Sequence, residues 1–253
     1  MTETRAGGFA LPALEPHTPL EVQLRQAGEN FALGLPEAVR CKPHAHVMSI
    51  VGGGPSLQET YSQIDGYIAA INGSLGFLKS KGILAHACGM VDPRPDMAEM
   101  VEALDGVRYY IASICHSSVF ERLSGCHVTM WHPSGVTGLE SLLDRRGFDW
   151  DMIGGGCSMG LRWVNLGYFL GFRKFRLFGM DSSFRAGRSH VYDDIRLRDG
   201  NIRIDGYDTR PEFVRQVEDF IELLERLEQP DVEQTSIEVV GDGLLPHFWK
   251  KIC

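Results

Sequence analysis

Two glycine loops hold the residues of this chain best suited to handling phosphate. Gly154-Gly155-Gly156-Cys157-Ser158-Met159-Gly160 runs straight into an apolar stretch, so Ser158 falls in the first turn of the expected helix. Gly52-Gly53-Gly54-Pro55-Ser56-Leu57 follows the apolar run Val47–Val51. Glycine lets a backbone approach a phosphate closely, and a helix N-terminus offers unpaired N–H groups and a positive dipole end. Two strand–glycine-loop–helix units in one chain therefore predict a nucleotide site. The first loop is not a P-loop, because no Gly-Lys-Ser/Thr follows, and a G-x-G-x-x-G dinucleotide fingerprint fails at Leu57.

Polar residues at the ends of apolar runs add candidates. Asn72 closes Ala69-Ala70-Ile71-Asn72-Gly73 and can cap the next helix or hydrogen-bond a ribose or base. Asp92 (in Val91-Asp92-Pro93-Arg94) and Asp181 (in Gly179-Met180-Asp181-Ser182) follow different runs. Each can be a turn or cap residue, or a carboxylate that holds Mg²⁺ or activates a hydroxyl. His190 lies in Arg185-Ala186-Gly187-Arg188-Ser189-His190-Val191-Tyr192. Beside Arg185, Arg188 and Tyr192 it suits acid–base work near a phosphate leaving group; the plainer reading is a solvated loop histidine. Ser113, His116 and Ser117 are further candidate ligand contacts. Cys115-His116 is no nucleophile signature, since adjacent side chains on an extended chain point apart. The i,i+2 pairs His44/His46 and His86/Cys88 are better explained by packing than by metal ligation.

These loops need strands and helices to hold them. Apolar runs recur at Val47–Val51, Tyr67–Ile71, 83–88, 107–114, 127–131 and 175–178, and Ser236–Val240 is a further strand candidate. Near-continuous apolar character predicts parallel strands buried on both faces. Helical patterns fit between them at 56–64, 72–81, 95–104 and 158–170. Pro211–Leu227 carries the clearest stripe: Phe213, Val214, Val217, Phe220, Ile221, Leu224 and Leu227. Alternating strands and helices predict an α/β, Rossmann-like, doubly wound and mostly parallel sheet with flanking helices, its ligand at the strands' carboxyl ends. Residues 1–43 read as a partly ordered N-terminal extension with one short helix near 19–28. Residues 44–253 read as a single Rossmann-like nucleotide-binding domain.

Composition narrows the partners. The 253 residues are 43% hydrophobic and 23% charged, enough for a full core. A net charge of −8 argues against a nucleic-acid partner, which needs a basic footprint. Six scattered cysteines without C-x-x-C spacing predict reduced thiols and a cytoplasmic location rather than zinc or disulfides. No secretory signal or membrane span is expected. The Pro211–Leu227 stripe can serve a homodimer contact, though packing on the sheet is its simpler use.

The ordered set of motifs also carries a resemblance. It comprises Gly-Gly-Gly-Pro-Ser-Leu (52–57), Ala-Ile-Asn-Gly (70–73), Asp92-Pro93, Gly-Gly-Gly-x-Ser-x-Gly-Leu-Arg (154–162), Leu-Phe-Gly-Met-Asp (177–181) and His190-x-Tyr192. Over roughly 45–195 the chain resembles the 6-hydroxymethylpterin diphosphokinase-like family. That group is shared with the motility accessory factor glycosyltransferases, and more distantly resembles the bacterial sialyltransferases. The resemblance implies a nucleotide-dependent transferase. In the sialyltransferase-like branch, a Gly-Pro-Ser loop and a strand-end Asn hold a cytidine nucleotide and a late His acts as base. Here those are Gly54, Pro55, Ser56, Asn72 and His190. The usual loop reads Gly-Asn-Gly, and Gly53 stands at the Asn position, which removes one nucleotide contact. The implied reaction is glycosyl transfer from a CMP-type sugar to a small-molecule, glycan or protein hydroxyl, with no cofactor required. Gly155, Gly156 and Ser158 would then hold substrate. The diphosphokinase branch implies ATP with Mg²⁺ on Asp92 and Asp181, acting on a hydroxymethylpterin-like hydroxymethyl group. A non-catalytic nucleotide-binding module is the third reading. A NAD-dependent oxidoreductase is weaker still, given the failed fingerprint. The segment after Tyr192 departs from the family pattern and leaves the acceptor pocket open.

Overall fold

The computed structural model describes residues 5–6, 9–10, 18–147, 149–192 and 201–253. The departure expected after Tyr192 begins in 193–200, outside the described residues. Eight strands form the main sheet: β1 (Val47–Val51), β2 (Tyr67–Ile71), β3 (Ala87–Met90), β4 (Arg108–Ala112), β5 (His127–Pro133), β6 (Met152–Ile153), β7 (Lys174–Phe178) and β10 (Ser236–Val240). Their order is β10-β7-β1-β2-β3-β4-β5-β6, and every neighbouring pair is parallel. The α/β doubly wound architecture is thus the one the alternation predicts. A separate antiparallel hairpin pairs β8 (Ile202–Ile204) with β9 (Tyr207–Thr209).

Helices cover the sheet: α1 (Leu20–Phe31), α2 (Leu57–Thr60), α3 (Ser74–Ser80), α4 (Ser117–Arg122), α5 (Leu139–Asp144), α6 (Met159–Phe169), α7 (Pro211–Leu227) and α8 (Leu244–Ile252). Helix α6 is apolar nearly all round because it lies in the core. Its Trp163 is fully buried and donates its indole N–H to Ala70 O at 3.1 Å. A Cβ at Gly167 would stand 2.7 Å from the Phe175 ring, so glycine lets α6 sit close on the sheet. Helix α7 buries Val214, Val217 and Phe220 of its stripe, together with Leu223, within this chain. Helix α1 is also tied in: Asn30 Nδ2 donates to Ser113 O and Cys115 O, both at 2.8 Å, and Gln26 Nε2 to Pro93 O at 2.9 Å.

Some boundaries differ from the sequence pattern. The strand expected at 83–88 starts at Ala87, because Gly82 takes a left-handed φ of 72° and Ile83 N–H returns to Leu78 O, ending α3. Leu84 is left 81% exposed. The helix expected at 95–104 is a 3₁₀ turn over Pro95–Met100. The Tyr109 hydroxyl takes the backbone beyond it, accepting from Leu104 N–H and donating to Glu102 O. The His pairs pack: His86 Nδ1 accepts Ile68 N–H at 3.0 Å and its ring stacks on Tyr67, while His44 meets Phe172 edge-on. All six cysteines are free. Among the described residues no helix is long and apolar enough to cross a membrane.

Candidate functional site

The winding reverses between β1 and β7, the place where an open α/β sheet leaves a crevice at its carboxyl edge. There the β1 exit (Gly52 to Gly54) meets the β7 exit (Gly179 to Asp181) backbone to backbone. Gly54 N–H donates to Gly179 O at 2.7 Å, and a Cβ on Gly52 would stand 2.5 Å from that oxygen. A cleft of about 920 Å³ opens over this point. Its wall takes in Gly52, Gly53, Gly54, Asn72, Asp92, Ser158, Asp181, His190 and Tyr192. Widely separated stretches of sequence therefore converge on one edge.

Each glycine loop is braced by an internal carboxylate. Asp181, 3% exposed, accepts Ser56 N–H on Oδ2 at 2.7 Å and the Ser56 hydroxyl on Oδ1 at 2.6 Å. Burial pushes its carboxyl up to about 7; the two Ser56 bonds oppose that rise and the Asp242 charge adds to it. Asp219 of α7 accepts Cys157 N–H at 2.6 Å and pairs with Arg215 at 2.8 Å. A Cβ on Gly54 or Gly156 would run into Asp181 or Asp219 respectively. The amides of Ser56 and Cys157, which the loops suggested for phosphate, thus serve these acids.

Asp92 accepts a bidentate fork from Arg94, Nε to Oδ1 at 3.0 Å and Nη2 to Oδ2 at 2.8 Å, and accepts Arg94 N–H as well. The Asp92 carboxylate in turn holds the Arg94 guanidinium above its ordinary pKa. Among the described residues no three His, Cys, Asp or Glu side chains converge to hold a metal ion.

Asn72 sits at the end of β2 in the left-handed region, φ 46°, and its buried Oδ1 has no hydrogen-bond partner among the described residues. Asparagine tolerates that backbone better than most residues, which places its short amide in the cleft wall. Across the first loop lies Tyr192. A Cβ on Gly53 would stand 2.5 Å from its ring, and one on Gly73 2.8 Å. Val191 N–H donates to Gly53 O at 2.9 Å, so the segment carrying His190 is laced to the β1 loop. The His190 ring lies 5.3 Å from Tyr192, and its Nδ1 is 2.9 Å from Ser189 Oγ.

The other expected residues fall behind or beside the wall. Pro55 and Ser56 lie beneath the first loop. Gly155, with φ 117°, faces Asn165 and Leu161 O rather than the cleft, and Gly156 faces Asp219. Arg185 pairs with Glu59 at 2.9 Å and forms a tight turn with Arg188, both outside the wall. Ser117 opens α4, where the His116 ring accepts Ser118 N–H as the N-cap, and Ser113 lies buried beneath. Several wall residues carry no signal in the sequence. They are Thr18, Leu20 and Gln23 around the start of α1, Ser134 and Thr137 after β5, and Arg210 and Gln216 at the start of α7. Arg162 also lines the cleft, and the Gly-Leu-Arg motif was its only hint.

No curated protein matches the chain. Among solved structures it is similar to a MAf glycosyltransferase from Magnetospirillum magneticum AMB-1, with a TM-score of 0.68 at 13% identity. That likeness covers 94% of this chain but 42% of the other, so the chain spans less than half of that protein's length, and it shows the fold. The family described as 6-hydroxymethylpterin diphosphokinase MptE-like matches residues 28–187, more than half of the sequence and both glycine loops, so the chain belongs to that family.

Proposed function

We propose that the cleft binds a nucleotide-activated sugar, of the cytidine-monophosphate type, and transfers the sugar to an acceptor hydroxyl. The observation that carries this reading is Asn72, whose buried Oδ1, without a hydrogen-bond partner among the described residues, calls for a donor group in the cleft wall. A ribose hydroxyl or a base amino group supplies one, and an unsatisfied buried acceptor costs about 1–3 kcal/mol until it is met. His190 takes the acceptor's hydroxyl proton as that oxygen attacks the anomeric carbon. The bond from that carbon to the phosphate oxygen breaks, and the nucleoside monophosphate leaves with the electron pair. The glycosyltransferase named among the structural neighbours supports sugar transfer.

Mg²⁺ chemistry fits these side chains less well. Asp92 is held by the Arg94 fork, and Asp181 is buried with both oxygens on Ser56. A cation would have to displace the Arg94 ion pair or the two Ser56 hydrogen bonds. The family's name favours the alternative, diphosphate transfer from ATP to a hydroxymethylpterin-like substrate. A thermal-shift series with cytidine monophosphate and ATP, each with and without Mg²⁺, separates the two. Saturation at 100 times Kd adds about 2.7 kcal/mol, or roughly 5–10 °C for a chain of this size. A metal-independent shift with the cytidine nucleotide is expected. A shift with ATP only in the presence of Mg²⁺ would overturn sugar transfer.

A further inference from the structure

Arg162 is placed where an arginine is costly. It is the fourth residue of α6, and helical side chains lean toward the helix N-terminus, so its guanidinium sits at the positive end of the dipole. It is largely buried, which disfavours its charged form and lowers its pKa despite the nearby Cys157 and Asp219. It is held by two backbone carbonyls: Nη1 donates to Ile153 O at 3.1 Å, and both Nη atoms to Ser134 O at 3.3 Å. Asp219 does not neutralise it as an ion pair, being committed to Arg215 and to Cys157 N–H. Yet Arg162 is one of the residues that line the cleft, as are Ser134, Thr137 and Ser158. A largely desolvated cation at a helix N-terminus, in the wall of a cleft and held, among the described residues, by carbonyls rather than a carboxylate, is stabilised once an anion enters.

We propose that Arg162 is the anion-binding residue of the cleft, and that the group it takes is a phosphoryl group of the donor. This rests on the nucleotide reading above but makes a claim of its own about where the charge is met. The Ser56 and Cys157 amides of the two glycine loops are both taken by acids, so the phosphate is met one step further on, by Arg162 and the first-turn N–H groups of Met159 and Gly160. The two carbonyls orient the fork, because a guanidinium with five donors keeps others for phosphate oxygens.

The test is calorimetric titration of the full chain with inorganic pyrophosphate, cytidine monophosphate and unphosphorylated cytidine, comparing wild type, Arg162→Met and Arg162→Lys. Loss of a charge-assisted pair predicts that Arg162→Met binds pyrophosphate and cytidine monophosphate roughly 10- to 100-fold more weakly. Cytidine affinity stays unchanged, an outcome that loss of a merely structural clip would not give. Arg162→Lys recovers part of the loss, since it restores the charge without the fork. If Arg162→Met does not fold, Arg162→Lys carries the test alone, with a weakening of at least threefold expected for the phosphorylated probes only. Equal affinity for phosphorylated probes in variant and wild type, parallel loss of cytidine affinity, or no binding of either phosphorylated probe to wild type would each overturn the proposal. Weakened pyrophosphate binding in a protein that never binds cytidine monophosphate or cytidine would leave Arg162's role standing and remove the cytidine reading.

Discussion

Replacing Asp181 by asparagine should change how stability depends on pH. In the native chain the carboxyl is 3% exposed and lies about 7, against an ordinary 3.8. Between about pH 4 and pH 7 the native state keeps this proton and the unfolded state loses it. The native form then binds more protons than the unfolded one, so wild-type stability falls as pH rises through the window and levels off above about 7. Raising a carboxyl from 3.8 to about 7 corresponds to about 4 kcal/mol. Asp181→Asn avoids that loss. The new amide can keep both contacts, its Oδ1 accepting Ser56 N–H and its Nδ2 donating to Ser56 Oγ. The gap between variant and wild type should therefore widen in the variant's favour by up to about 4 kcal/mol from pH 4 to pH 7, or about 10 °C in Tm, then hold constant. Buried His132, whose pKa is lowered by burial, works the other way below about 6.5 but is common to both proteins and cancels in the difference. Urea or thermal midpoints across pH 4–8 measure it. Parallel stability curves for the two proteins would refute the account of Asp181 as a buried, protonation-coupled brace.

Other outcomes follow from single positions. Gly53→Ala brings a Cβ within 2.5 Å of the Tyr192 ring and should cost about 1–3 kcal/mol. Tyr192→Ala in the same chain should remove most of that cost, and additive unfolding energies in a double-mutant cycle would show that the ring does not set the glycine. Asn72→Gly relieves a left-handed φ and should raise unliganded stability by up to about 1 kcal/mol while weakening nucleotide binding at least tenfold, read by denaturation and titration together. His190→Ala should remove most transferase turnover, roughly 10²–10⁴-fold, with donor affinity little changed; near-normal kcat would end its role as base. Gly156→Ala, at φ 74° and against Asp219, should destabilise the second loop, lowering Tm even without ligand.

The sheet was legible in the chain alone. Val47–Val51, Tyr67–Ile71 and Pro211–Leu227 are read to the residue, because a strand buried on both faces is apolar nearly throughout and a long amphipathic helix must show its stripe; the edge strand Ser236–Val240 is also read to the residue, from its β-branched Ile237, Val239 and Val240. Pro211 at the helix start and Gly82 after α3 marked boundaries for equally local reasons. The placing of both glycine loops, Asn72, Asp92, Asp181 and His190 near one sheet edge also followed, since parallel strands put their carboxyl ends together. What those residues touch was decided in three dimensions. Asp181 meets Ser56 across 125 positions, and Gly156 makes room for Asp219 on a helix far along the chain. Gly54 makes room for Asp181 and Gly53 clears a tyrosine from a distant loop, so with Gly156 three glycines that suggest phosphate also make way for side chains that no local pattern reveals. Arg162 shows the same limit. Its type and place in a helix are local, but the Ser134 and Ile153 carbonyls that hold it come from other elements folded around the cleft.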